Sequence, residues 1–213
     1  MVNGTIGECL YLGNHQCPRS PAGGSDDTNA DMTAFADIEA QKTAMLARIE
    51  AWPAERLTYR PAPEEWSAIE VLDHLVNVET GVLAAMRRGL EAPNRIGVRD
   101  RLGFLLVDLV FRSRRRVKVP MSAKRVLPGD EADMTDLVPR WDASRVALGE
   151  LLAHLSPEDT RQGVFRHPVS GWMNVPQVLR FFSTHITHHH FQLDRLDAAC
   201  EASAHPRISM GSG

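Results

Sequence analysis

Cysteine, lysine and aromatic residues are all scarce in this 213-residue chain, and long apolar runs are missing. Three cysteines, Cys9, Cys17 and Cys200, cannot build a disulfide scaffold, so an oxidising compartment is not indicated. Cys9 and Cys17 also have the wrong spacing for a zinc knuckle. Of the 24 basic residues 21 are Arg and 3 are Lys, a chain-wide skew that lowers what any one Arg cluster can signify. Neither sign of charge dominates: 24 Lys and Arg against 27 Asp and Glu leave −3, which gives no general attraction to nucleic acid. The longest apolar run, Leu102 to Phe111, contains Gly103 and Asp108 and has half the length of a membrane span. No basic stretch leads into a hydrophobic core at the N-terminus, so a secretory signal is not expected. Hydrophobic residues at 43% and charged ones at 24% are the balance of an ordinary globular chain. The expectation is a soluble cytoplasmic protein with no membrane span and ample length for a core.

Four segments repeat apolar residues at helical spacing. The first, about Thr33 to Trp52, carries Phe35, Ile38, Met45, Leu46, Ile49 and Trp52. The second opens at Ser67-Ala-Ile-Glu70, a capping box, and continues through Val71, Leu75, Val78, Val82 and Met86 to about Ala92. The third, about Asp136 to Leu155, repeats Leu137, Trp141, Leu148, Leu152 and Leu155, with Pro139 tolerated in its first turn. The fourth starts at Asn174-Val-Pro-Gln177, a capping-box variant, and runs to about Cys200. No alternating strand pattern of useful length lies between them. The stretch from Glu91 to Met134 is too long for a bare loop, and Arg101 to Arg116 is predicted to form an extra helix. The fold class expected is all-α, a four-helix bundle with a long elaborated crossover between the second and third helices. Residues 1–31, rich in Gly, Asn, Pro and Ser without periodicity, are set apart as a disordered extension. The bundle is expected over 32–203 and a flexible tail over 204–213.

Nine histidines are more than a chain of this size usually carries, and five of them fall between His167 and His190. At about 100° per residue, His185 and His189 lie at the centre of the fourth helix's apolar stripe, with Val178, Phe182 and Leu196. His188 lies on the shoulder of that stripe and His190 is expected to face water. Two imidazoles at i and i+4 can reach one divalent metal. They read equally as core histidines bonded to each other, to Gln192 or to buried water. A third ligand would come from another helix, and His74, on the edge of the second helix's apolar face, is the leading candidate. His154 and His167 are weaker ones. Three neutral nitrogens with open positions suit Zn, Ni or Fe in a catalytic rather than a closed structural site. Ile186 stands where a metalloprotease helix needs Glu, and no pair of Glu-x-x-His motifs supports a di-iron centre.

The segment Pro61-Ala-Pro-Glu-Glu-Trp66-Ser67-Ala-Ile-Glu-Val-Leu-Asp-His74-Leu resembles the second-helix entry of the DinB-like superfamily, where Trp-Ser precedes a ligand His. His185-x-x-His188-His189-x-x-Gln192 resembles the same family's fourth-helix ending. The resemblance runs from about Thr33 to Cys200. It implies a four-helix bundle with one metal held by His74, His185 and His189. It also implies transferase or isomerase chemistry with a low-molecular-weight thiol such as mycothiol, bacillithiol or glutathione.

A thiol bound to such a metal is deprotonated near neutral pH and could attack an electrophilic carbon of a small-molecule substrate. Water in the same place would give a metal-dependent hydrolase, the alternative enzyme reading. A metal- or ligand-binding module without turnover is the alternative from another class. Glu70, Gln192 and His188 are candidates to orient the ligands from behind. Residues 112–125 hold seven basic and no acidic side chains, and Arg112, Arg114, Arg115 and Arg116 are weak candidates for a cofactor's carboxylates or phosphate. The same patch could meet anionic lipid beside the Leu102–Phe111 run. Trp141 and Trp172 are expected in the core. No nucleic-acid partner is expected, and the chain is taken as a monomer or homodimer.

Overall fold

The computed structural model describes residues 24–116, 126–129 and 132–204. Seven helices and one short hairpin follow in the order α1 (Gly24–Glu50), α2 (Ala54–Thr58), α3 (Ala68–Glu91), α4 (Val98–Arg112), α5 (Met134–Ala153), α6 (Pro157–Arg161), β1 (Phe165–His167), β2 (Gly171–Met173) and α7 (Val175–Ala204). The four long helices of the bundle are α1, α3, α5 and α7. Helix α1 packs on α5 and α7, and α3 packs on the same two, so the first two long helices face each other across the diagonal.

The helix starts follow from their caps. Ser67 Oγ accepts from the Glu70 amide while the Glu70 carboxylate accepts from the Ser67 amide and hydroxyl, both at 2.9 Å. Asn174 and Gln177 exchange the equivalent bonds, each 3.0 Å, at the start of α7. Helix α1 begins at Gly24, earlier than its apolar stripe announces, so residues 24–31 of the stretch set apart by composition are helical and Asp31 is buried. A bond from Thr33 Oγ1 to the Asn29 carbonyl links these added turns to the rest of the helix. Residues 1–23, with Cys9 and Cys17, and residues 205–213 lie outside the described residues, as does 117–125 of the basic segment.

The crossover holds α4, at the position of the predicted extra helix. The hairpin was not legible in the sequence: with Phe165↔Met173 and His167↔Gly171 as its outer pairs, each strand is three residues, too short to alternate. It is fixed by close backbone approaches. A Cβ on Gly89 of α3 would lie 1.9 Å from the Val164 carbonyl oxygen, and one on Gly103 of α4 would lie 2.7 Å from that of Ser170. Asp100 of α4 accepts from the Trp172 amide of β2, and Gly171 beside it has φ +84, where glycine is favoured. Trp172 is half-buried rather than in the core, whereas Trp141 is fully enclosed.

Two apolar clusters fill the bundle. One gathers Ile38, Val82, Phe104, Leu148, Val178 and Phe182; the other gathers Met45, Leu72, Trp141, Ile186 and Leu193. In sequence, each long helix carries a buried polar side chain where one cluster gives way to the other: Lys42, Glu79 with His74, Arg145, and His185. Glu79 accepts three N–H bonds of 2.7 Å, two from Arg145 and one from Trp141 Nε1, which pairs the two buried charges, and Arg145 Nη1 lies 3.3 Å from Glu39 Oε1. Lys42 pairs with Asp142 at 2.7 Å. The core is therefore divided by a polar layer, and the histidines lie in it. Among the described residues no helix is long and apolar enough to cross a membrane.

Candidate metal centre

Helix geometry brings three imidazoles together. His185 and His189, one turn apart on α7, point inward and meet His74 of α3. His74 Nε2 lies 3.3 Å from His185 Nε2, and His189 Nε2 lies 3.1 Å from the same atom. All three rings are buried, with 4–5% of their surface exposed. Nitrogens held about 2.0–2.1 Å from a tetrahedral ion stand about 3.3 Å apart, so these two separations suit a shared cation.

The outer nitrogens decide the tautomers. His74 Nδ1 lies 2.6 Å from the Val126 carbonyl oxygen, which can only accept, so Nδ1 carries the proton and Nε2 presents a lone pair. His189 Nδ1 lies 2.9 Å from Gln192 Oε1 and is fixed in the same way, given the amide orientation assigned to Gln192. Two lone pairs therefore converge on His185 Nε2. A neutral His185 has one proton for two acceptors, and its Nδ1 has no hydrogen-bond partner among the described residues. A second proton is opposed by the surroundings. Burial holds His185 and His189 well below the usual imidazole range, reinforced by the neighbouring histidines. Burial lowers His74 as well, against the pull of the Val126 carbonyl. The cluster is thus a neutral, electron-rich pocket that a divalent cation would satisfy and that the protein alone does not.

Aromatic rings enclose it. Trp66 lies 4.8 Å from the His74 ring and 6.4 Å from that of His189; Phe181 stacks on His185 at 5.3 Å, and Phe111 approaches His185 at 5.2 Å. Sequence reasoning found Trp66 only as part of a motif and missed Phe111, Phe181 and the Val126 carbonyl. The spacing of Phe181, one turn before His185, was a usable signal. A backbone carbonyl reaching His74 from 52 residues away offers no side-chain signal at all.

The remaining candidates separate clearly. Gln192 is where the spacing put it, on His189. Glu70 is corrected: its oxygens serve the Ser67 cap and Arg60, so it does not orient His74. His188 is buried, edge-on to His189 at 5.3 Å and with its ring 5.4 Å from that of Phe111. His190 is corrected from a water-facing position: α1 covers that side of α7, and the ring is half-buried against the Gln41 backbone. His154 bonds the Glu150 carbonyl at 2.7 Å at the end of α5, away from the cluster. His167 Nδ1 accepts from the Val169 and Ser170 amides, both 3.2 Å, and burial pushes its pKa down to about 4. Of the connector arginines, Arg112 pairs with Asp108 at 3.0 Å, Arg114 lies 4.6 Å over the Phe191 ring, and Arg116 pairs with Glu65. Arg115 is exposed.

The chain can now be set beside known proteins. No curated protein matches it. Among solved structures, TT2238, described as a four-helix bundle protein, is 20% identical with a TM-score of 0.50, covering 79% of this chain and 98% of its own. YfiT from Bacillus subtilis, described as a probable metal-dependent hydrolase with an unusual four-helix bundle topology, is 13% identical with a TM-score of 0.49, covering 89% of this chain and 95% of its own. A family model described as the DinB superfamily matches residues 37–193, which include all three histidines. This protein belongs to the DinB superfamily.

Proposed function

We propose that the protein is a metal-dependent enzyme that transfers a low-molecular-weight thiol to an electrophilic carbon of a small molecule. His74, His185 and His189 would hold the metal, with Zn, Ni or Fe suited to three neutral nitrogens. The observation that carries the reading is the pair of Nε2 lone pairs, on His74 and His189, aimed at His185 Nε2 within 3.3 Å. A divalent ion on such a set supplies Lewis acidity, lowering the pKa of a thiol or water bound at an open position.

The chain's own groups prepare that chemistry. The Val126 carbonyl and Gln192 Oε1 hold two rings in the tautomer that presents Nε2 inward. Trp66, Phe111 and Phe181 keep water from the back of the cluster and lower the local dielectric. Arg114 lies over Phe191, on the same shoulder of α7 as His188 and Arg195, and supplies positive charge suited to the carboxylates of bacillithiol or glutathione.

The test is a conjugation assay using a chromogenic electrophile and mycothiol, bacillithiol or glutathione, run with and without added metal. Metal-dependent thiol consumption that disappears in His185→Ala supports the proposal. Ester cleavage without thiol consumption replaces it with a hydrolase. Bound metal with neither activity replaces it with a binding module.

A further inference from the structure

Helix α4 is apolar on both sides. Phe104 and Val107 turn into the core, and Asp108 beneath them is buried. On the outward side Val98, Leu102, Leu105, Leu106 and Leu109 are 56–74% exposed. At about 100° per residue these five occupy an arc of about 100° centred away from the bundle. A surface helix of a globular protein places polar residues there, so this face lacks its ordinary solvent-facing composition. Val169, 59% exposed in the β1–β2 turn that meets α4 at Gly103, lies beside it.

Charge identifies the occupant. Arg101 and Arg112 border the stripe on one side and Arg99 on the other, all exposed. Residues 98–116 contain six arginines and two aspartates. Both aspartates are engaged: Asp100 accepts from the Gly97 and Trp172 amides, and Asp108 accepts from Arg180 at 2.7 and 2.9 Å and pairs with Arg112 at 3.0 Å. A second copy meeting this face across a two-fold axis would set arginine against arginine, with no free carboxylate on α4 to separate them. An anionic partner has no such conflict. Leucines on one face with arginines at its borders match a helix lying in the plane of a lipid interface, apolar side down.

We propose that the outward face of α4 docks the protein on an anionic lipid surface. Leu102, Leu105, Leu106 and Leu109 enter the boundary between headgroups and acyl chains, and Arg99 and Arg101 meet the phosphates. The docking is peripheral and independent of the metal chemistry.

The full-length protein is sedimented with phosphatidylcholine vesicles and with vesicles containing phosphatidylglycerol. Binding is expected to the anionic vesicles alone. It should weaken about tenfold or more as ionic strength rises from about 0.1 M to about 1 M, where the Debye length falls from about 10 Å to about 3 Å. The double substitution Leu105→Glu with Leu109→Glu should abolish it while leaving the circular dichroism spectrum unchanged, because both side chains are exposed. Failure to bind either vesicle, or equal binding to both, overturns the proposal. So does a dimer in sedimentation that this double substitution dissociates, which would make the face a contact between copies.

Discussion

At the scale of single residues, the outer nitrogen of each histidine matters as much as the inner one. Gln192 holds His189 through one bond of 2.9 Å, and without it the ring is free to rotate or change tautomer. Gln192→Ala should weaken metal binding about 10- to 100-fold in a chelator competition, with the helix intact. His167 tests a different consequence of burial. Its imidazole is held neutral down to about pH 4, whereas in the unfolded chain it titrates near 6.5. Between those values the unfolded chain binds more protons, so stability is fully present above about 6.5 and falls as pH drops toward 4. Burial lowers His74, His185 and His189 in the same direction. His167→Gln should therefore reduce, and not eliminate, the slope of the denaturation midpoint against pH across this window.

At the scale of elements, two glycines of α3 have opposite roles. A methyl group at Gly81 would meet nothing within 4 Å, whereas at Gly89 it would strike the Val164 carbonyl. Gly81→Ala should stabilise the protein by about 0.5–1 kcal/mol through reduced backbone entropy in the unfolded chain. Gly89→Ala should cost about 1–3 kcal/mol by forcing the hairpin away from the helix. Urea midpoints of the two variants, moving in opposite directions, would check both. The four long helices were legible because their apolar residues recur at helical spacing and Ser67 and Asn174 mark two starts. The start of α1 was not, because its first two turns precede the apolar stripe. Glu79 and Arg145 were passed over for a related reason: a charged residue on a helix reads as solvated until its partner, 66 positions away, is known. The inward position of His185 and His189 was legible because residue type and angular position agreed, whereas His74, on the edge of its apolar face, stood out only as the second helix's one histidine and through the family resemblance. His190 was misread because its polar neighbours suggested water, while α1 lies over them.

At the scale of the whole molecule, the polar layer makes the core depend on what fills the histidine pocket. With one His185 proton for two facing lone pairs, the metal-free pocket leaves one buried acceptor without a donor, which a cation held by the three rings would satisfy. Stripping the metal with a chelator should lower Tm, and restoring it should reverse the change. At a free metal concentration about 100-fold above Kd the stabilisation is about 2.7 kcal/mol, or about 5–10 °C for a protein of this size. Loss of the effect in His74→Ala would place it at this centre. Calorimetry before and after dialysis measures it directly.

The bond from His74 to Val126 ties this centre to the α4–α5 connector through a main-chain atom, and that changes which kinds of sequence variation the site tolerates. Substitution cannot delete a carbonyl. Val126→Ala should keep metal affinity within about twofold and cost only the packing of a partly buried side chain. Removing one residue between Val126 and Gly129 is another matter. Gly129 is anchored to Asp73 by a 2.7 Å bond from its amide, so a shorter path would pull the oxygen out of register with the ring and weaken metal binding at least tenfold. Descendants of this protein are thus free to drift in spelling at position 126, while the count of residues that delivers its oxygen is held fixed.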